Sequence, residues 1–499
     1  MRRHRAPSEP GRRRPNTPGP PTRRCPPLAN DLTTSPGEPP TPPRTPAPDR
    51  PRYEVSGSEP HPLRRPQPWA APSHHDPATG HGTGRPAKEM LMDLTTRTYP
   101  FHRDGTFRMP AEFSWIRTHL PVAQVKLASG HPAWLITRYQ DVRRALTDPR
   151  FTRTLDQNTT ARMNTGFAAE QSSPVFSFGG SISEPPGHTR WRRIVNRAFT
   201  QRQADAMRDR IAGHTDAVLD DLTARPERRA DLMADYAYRV PIRVICELLG
   251  IPEDGRPAFS TMAARLTRRD LRSSPEDFGQ ALRDIGRYAV ELIVRKRSNL
   301  GDDLLSTLIG LHDEDDGALT NEELVSTVIL LLMAGYESTA VQLGNALYAL
   351  FHHPAELARL RADPGLVDNA VEELLRYAQM GTGFAVAKFT SADVEIGGTV
   401  IPAGSTVFVS LASGNRDVEV FGDDAEELDL ARRTADRQLA FSAGPHYCLG
   451  AALARAELAE AITRLLDRMP ELAFDGDLTD VVLASNLFTY YPRELPVRW

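Results

Sequence analysis

The residues best suited to chemistry are concentrated in a few short stretches. Phe441-Ser442-Ala443-Gly444-Pro445-His446-Tyr447-Cys448-Leu449-Gly450 is a Gly/Pro-punctuated loop that runs into the helical pattern Ala451 to Met469. A cysteine there stands at the amino end of a helix, where first-turn amides and the positive end of the dipole favour an anion. The pattern predicts a thiol of lowered pKa, a soft anionic ligand of the kind that suits porphyrin iron. The alternative is a small buried hydrophobe, the commoner fate of a free cysteine.

A second stretch, Ala334-Gly335-Tyr336-Glu337-Ser338-Thr339, interrupts the greasy run Val328 to Met333 with an acid, alcohols and a glycine. A buried carboxylate is costly unless it is paired or functional. The competing reading is an exposed turn of an amphipathic helix, with Gly335 serving close packing. Third, His188 and Arg192 are four apart, hence on one helical face, and a cationic pair suits a dianionic ligand. Otherwise they belong to a solvated basic face with Arg190, Arg193 and Arg197, a face that could also dock an acidic electron donor. Finally, Glu373 and Arg376 form an i,i+3 pair, ordinarily a weak surface bridge.

These groups need elements to hold them. Thr320-Asn321-Glu322-Glu323 is a capping box, and a helical pattern continues from it unbroken to about His352, before Pro354. About 30 residues at roughly 1.5 Å each give a core helix that crosses a domain. Helical patterns also cover Tyr139 to Leu146, the segment opened by Pro185-Pro186, Gln203 to Thr223, Leu232 to Leu249 and Glu276 to Arg297. Val122 to Leu127 with Ala133 to Thr137, then Phe384 to Phe389 with Val394 to Ile401, read as strands, and Gly397-Gly398 is a hairpin turn. Residues 152 to 183 lack periodicity, as a functional or mobile loop does. Ile251 to Ser274, punctuated by Pro252, Gly255 and Pro257, reads as a mobile region.

The chain has 499 residues, and its beginning differs from the rest. More than half of the 43 prolines precede residue 90, and residues 1–89 carry fifteen Lys/Arg against eight Asp/Glu, leaving about −10 for the remainder of a chain at −3. Residues 1–91 are therefore expected to be a disordered Pro/Arg-rich extension, with residues 92–499 as the folded domain. Met90 and Met92 are candidate starts of translation. The extension has no aromatic interleaving of the kind that single-strand nucleic-acid binding uses, so no nucleic-acid partner is expected. It also lacks the apolar run of a signal peptide, and no stretch has 18 uncharged apolar residues. The three cysteines are far apart and odd in number, against a disulfide framework. The expectation is a cytoplasmic monomer with no membrane partner.

From about Tyr99 to Trp499 the chain resembles the cytochrome P450 family, the haem-thiolate monooxygenases, of bacterial (actinobacterial) type. The family's Phe-Gly-x-Gly-x-His/Arg-x-Cys-x-Gly signature maps onto Phe441, Gly444, His446, Cys448 and Gly450, with Ser442 in place of a glycine. The resemblance implies a mainly α fold with a small β-rich lobe (α+β), its haem lying between a long central helix and the cysteine loop. It implies heme b with Cys448 as axial ligand to the metal, and His188, Arg192, Lys388 and His446 on the propionates. Gln438 stands where a propionate-binding histidine is frequent, and Asn415-Arg416-Asp417 matches a structural element. Ala334 and Gly335 would leave space for dioxygen, and Glu337 and Ser338, where threonine is usual, would relay protons. Glu373, Arg376 and Arg432 would form an internal triad. Phe167, Phe178, Met333, Phe384, Val386, Leu487 and Phe488 are the implied substrate-pocket residues; Met163, Val175, Gly383 and Ala385 belong with them.

The resemblance implies hydroxylation or other oxidation of a hydrophobic secondary metabolite, a polyketide, terpenoid or small cyclic peptide. Electrons would come from NAD(P)H through a ferredoxin or flavodoxin and its reductase, since no flavin- or nicotinamide-binding glycine fingerprint follows any strand. One alternative keeps the cofactor but ends in oxidative coupling or ring formation. Another is a haem-free recruitment module of the same fold, and Cys448 and Glu337 stand against it.

Overall fold

The computed structural model describes residues 97–103, 107–153, 182–267, 275–314, 319–380, 386–485 and 490–499. The Pro/Arg-rich extension lies outside them. Two kinds of pattern build the rest: alternating apolar residues on short strands, and 3.6-residue apolar periodicity on longer helices.

Besides smaller sheets of two and three strands, six of the described strands gather into a mixed sheet. It comprises β1 (Thr98–Tyr99), β2 (Val122–Leu127), β3 (Pro132–Ile136), β4 (Phe151–Thr152), β5 (Val386–Thr390) and β6 (Thr406–Val409), in the order β1-β2-β3-β6-β5-β4. The β2–β3 hairpin pairs Val122 with Ile136 and Val125 with Ala133, and β4 closes the other edge by pairing Phe151 with Thr390 and Thr152 with Phe389. The expected hairpin at Gly397-Gly398 joins Val394–Ile396 to Thr399–Ile401, and both glycines have positive φ, 57° and 77°.

The helices that position the site are α1 (Tyr139–Thr147), α2 (Gly187–Val195), α3 (Gln201–Thr223), α4 (Arg239–Leu248), α5 (Pro275–Arg297), α6 (Asn321–Ala334), α7 (Glu337–His352), α8 (Val367–Tyr377) and α9 (Ala451–Arg468). α9 packs on α3, α7 and α8, and α6 packs on α5. A single apolar cluster runs through all of these helices except α1, and roughly 1.5–3 kcal/mol per fully buried large side chain holds them together.

The structure alters three expectations. The long central helix is not continuous: α6 ends at Ala334, Gly335 and Tyr336 separate it from α7, and Tyr336 has φ −104° and ψ −65°. The segment Leu232 to Leu249 opens as a π turn over Met233–Ala237 before α4 begins. The region around Pro257 contains a helix, Arg256–Thr267, because Pro257 occupies its first turn, where proline is tolerated. The capping box at Thr320 is complete, with Thr320 and Glu323 bonding each other's backbone amides. Asn321–His352 is the described helical stretch apolar enough to cross a membrane, at mean hydropathy 1.6, yet 56% of that window is buried inside the fold. Its apolarity is that of a core helix.

Candidate active site

The cysteine loop is shaped by backbone conformation first. Gly444 has φ +72°, and a Cβ there would meet the Leu146 carbonyl of α1 at 2.7 Å, so only glycine fits. Ser442 also has a positive φ, 65°, the conformation for which a glycine would be the ordinary choice, so the serine is accommodated at a steric cost. The Ser442 amide donates to Leu439 O at 2.8 Å, and the Cys448 amide donates to Phe441 O at 2.9 Å, which closes the loop.

Gly450 caps α9 and donates its amide to the Cys448 sulfur. The sulfur is open to solvent by surface area, yet it lies deep enough among protein atoms that desolvation dominates. Burial pushes the Cys448 thiol up, and the Gly450 amide, Arg192 and Arg455 only partly oppose it. This corrects the expected lowered pKa: the helix end contributes one amide, not enough to outweigh burial. Thiolate character then depends on a cation at the sulfur.

Beside the sulfur lies a cluster of basic groups. His188 and Lys388 are buried, and the His188 and His446 rings stand 4.2 Å apart between centroids. His446 is pushed down to about 2, by burial first and then by Arg153, His188, Lys388 and Arg192. Lys388 falls to about 8 through burial and Arg153, while His188 is lowered by burial, Arg153 and Arg192. Glu184 is the acid that moderates this cluster among the described residues, and it accepts the Arg153 amide. A neighbourhood so rich in cations calls for an anion. With an accessible sulfur at one end and excess positive charge at the other, the donor set fits a group carrying a metal and two carboxylates, as haem does.

α2, which carries His188 and Arg192, is clamped to α6. Trp191 Nε1 donates to Thr327 Oγ1 at 2.8 Å, and Arg190 pairs with Glu323. Arg190 is therefore a clamp residue and not part of an open basic face; Arg193 and Arg197 remain exposed.

On the helix above, Ala334 is exposed and Ser338 half-buried, while Glu337 is buried in the first turn of α7. Gly335 faces elsewhere: a Cβ on it would meet Ile245 Cδ1 of α4 at 2.8 Å. Its smallness serves helix packing, the competing reading above. The Ser338 hydroxyl donates to Ala334 O across the break. Tyr336 is buried against Tyr238 and Phe259, which fixes the broken turn. Met333 and Val386 are half-buried. Phe167, Phe178, Phe384, Leu487 and Phe488 lie outside the described residues.

Behind the loop, Glu373 and Arg376 on α8 are fully buried and bidentate, at 2.7 Å for both contacts. Arg432 Nε joins Glu373 at 3.1 Å. Arg376 also donates to the carbonyls of Asn415, Ala425 and Glu427. Asn415 Oδ1 accepts the Leu439 amide at 2.7 Å, and Asp417 accepts the Tyr139 amide at 2.8 Å, so this element ties the cysteine loop to α1. Gln438 bonds Glu372 at 2.9 Å. Two residues escaped the sequence reading. Arg455 lies over the Phe441 ring at 4.5 Å and pairs with Glu372. Arg153 joins the cationic cluster, and only strand pairing, invisible in the local sequence, could have revealed it.

Comparison with known proteins agrees with this geometry. Residues 255–470 match the family model described as Cytochrome P450. The chain is 39% identical to cytochrome P450 monooxygenase PikC of Streptomyces venezuelae, over 83% of this chain and 96% of that protein. It superposes on the LnmA cytochrome P450 hydroxylase from the leinamycin pathway of Streptomyces atroolivaceus with TM-score 0.72 and 36% identity, covering 81% of this chain and 100% of that one. SgvP, described as a thioether synthase in the tailoring of griseoviridin, gives TM-score 0.73 and 38% identity over 81% and 99% of the two chains. With relatives of this identity matched over nearly their whole length, the chain belongs to the cytochrome P450 family of haem-thiolate monooxygenases.

Proposed function

We propose that Cys448 is the axial thiolate ligand of haem b, that His188, Arg192, Lys388 and His446 bind its propionates, and that the enzyme oxidises a hydrophobic secondary metabolite. The observation that carries this reading is the accessible Cys448 sulfur next to a cationic cluster moderated by Glu184. Thiolate-ligated haem, when bound, supplies dioxygen activation with the balance R–H + O2 + 2e⁻ + 2H⁺ → R–OH + H2O.

The chain's own residues do the rest. The Gly450 amide holds negative charge at the Cys448 sulfur. Glu373, Arg376 and Arg432 fix the segment that leads into the loop, with Phe441 and Gly444 setting its shape. Glu337 and the Ser338 hydroxyl hold protons at the break between α6 and α7, beside the exposed Ala334. Met333 and Val386, with the predicted pocket residues beyond the described segments, give the substrate an apolar enclosure. Electrons originate in NAD(P)H and arrive from a ferredoxin or flavodoxin served by a reductase. An open groove of about 860 Å³ beside α1 is lined by Arg117, Arg138, Arg143, Arg144 and Arg437 against Asp417 and Glu419, a basic excess that suits the acidic surface of such a donor.

The test is the absorption difference spectrum of the dithionite-reduced protein with and without carbon monoxide. A red-shifted thiolate-type Soret band, lost in Cys448→Ala, is the expected result. A full-length protein that takes up no haem overturns the proposal. Glu337→Gln is expected to keep that band and to lower turnover, and an unchanged rate would remove the proton-relay role.

A second reading, oxidative coupling without oxygen retention, is favoured by two observations. The Ser338 hydroxyl is spent on Ala334 O, which turns its proton toward the helix backbone, and a relative of 38% identity is described as a thioether synthase. Product formed under ¹⁸O2 separates the two: retained label means oxygenation, and an unlabelled oxidised product means coupling.

A further inference from the structure

Arg153 lies one residue beyond β4, whose antiparallel register with β5 pairs Phe151 with Thr390 and Thr152 with Phe389. The ladder ends at Thr152, and Arg153 follows it on the side of β5 where Lys388 precedes the paired Phe389, close enough that the two cations repel each other. Lys388 is 3% exposed, and like charges held close repel more strongly when shielded from water. The Arg153 backbone is pinned there by its amide bond to Glu184, four residues ahead of His188 on the segment entering α2.

The two cations differ in what they offer. An ammonium is a point charge on a flexible stem, whereas a guanidinium presents a planar fork that matches a carboxylate in bidentate fashion. Lys388 alone therefore leaves the β5 side of this wall without a fork, while Arg192 offers one from α2. We propose that Arg153, just past the end of β4, supplies the guanidinium fork that Lys388 lacks, so that the two residues bind one carboxylate of the haem. The inference rests on the haem reading given above.

The electrostatics support it from the other side. After burial, Arg153 is the largest charge lowering both Lys388 and His188, so its guanidinium is felt on β5 and on α2. Burial also lowers Arg153 itself, and Arg192 adds to the effect while Glu184 opposes it. Glu184 opposes the repulsion on Arg153, Lys388 and His188, and a bound dicarboxylate would add two further negative charges.

The experiment uses full-length holoprotein and reads the first-order transfer of haem to an excess of apomyoglobin, with the carbon monoxide band recorded first to fix the starting ligation. Arg153→Gln is expected to lose haem about tenfold faster than the parent, the scale of one charge-assisted contact. Arg153→Lys, which keeps the charge and removes the fork, is expected to fall between them. Lys388→Arg in the Arg153→Gln background is expected to restore retention, because it rebuilds a fork on the opposite strand. Parent-like transfer from Arg153→Gln or Arg153→Lys overturns the inference, as does failure of Lys388→Arg to rescue. If the parent itself shows no haem band, the haem reading falls first and this inference with it, so the two failures are distinct.

Discussion

The frame behind the cysteine loop and the cationic wall beside it hold charge in opposite ways. In the frame, the Glu373 carboxylate takes a bidentate bond from Arg376, another from Arg432 and the Asp429 amide, and Arg376 spends its other N–H groups on three carbonyls. On the wall, Arg153, His188, Arg192, Lys388 and His446 press on one another, with Glu184 as the counter-charge among the described residues. The frame is complete as it folds. The wall keeps an excess of positive charge among the described residues, which in the function proposed above a bound anion balances, so the same residue class stabilises one region and loads the other.

Breaking the frame should have the largest effect. Glu373→Gln leaves two buried guanidiniums short of their carboxylate, and removing one partner of such a network costs about 3–5 kcal/mol. Denaturant unfolding should show that loss, together with failure to take up haem. A variant that unfolds at the parental midpoint would mean that the buried network is not what holds the loop.

The wall should respond with the opposite sign. Lys388→Met removes a buried charge from a repelling cluster, and in the haem-free protein it is expected to stabilise by about 1 kcal/mol at neutral pH while weakening haem retention. The pH dependence follows from a folded pKa of about 8 against an ordinary 10.5. Between those values the unfolded chain binds more protons than the folded one, so the Lys388 contribution makes stability rise with pH across that window. Below about 8 both states are protonated and the full penalty is present. Lys388→Met should flatten this rise, measured as unfolding free energy against pH, and a parent curve without it would show that Lys388 is not strained by its neighbours.

How much of this was readable in the sequence depends on the range of the interaction. The Thr320 capping box, the hairpin glycines at 397 and 398 and the cysteine-loop punctuation act within a few residues, and local pattern exposes them. The helix break at Gly335-Tyr336 does not show, because apolar periodicity runs through it; it is set by Ile245 on another helix and by Tyr238 and Phe259 around Tyr336. The raised pKa of the Cys448 thiol is hidden from the local sequence for a related reason. A helix amino end is legible locally, whereas the desolvation that opposes it comes from the whole surrounding fold. Arg153 entered through the register of β4 on β5, across more than two hundred residues of chain.

The smallest expected effect sharpens the comparison on the frame's side. Ser442 holds φ +65° at a position where the family pattern has glycine, so the cysteine loop that the frame supports carries a local strain. The left-handed conformation costs a residue with a Cβ roughly 1–2 kcal/mol, and glycine gives back roughly 0.5–1 kcal/mol in unfolded-state entropy. Ser442→Gly is therefore expected to stabilise by roughly 0.5–1 kcal/mol, read as a small upward shift in the unfolding midpoint with the carbon monoxide band unchanged. A destabilised variant would mean that the Ser442 side chain makes a contact worth more than the strain. An altered band would mean that the turn, and not only the bond that the Cys448 amide donates to Phe441 O and the Gly450 amide at the sulfur, sets the position of Cys448.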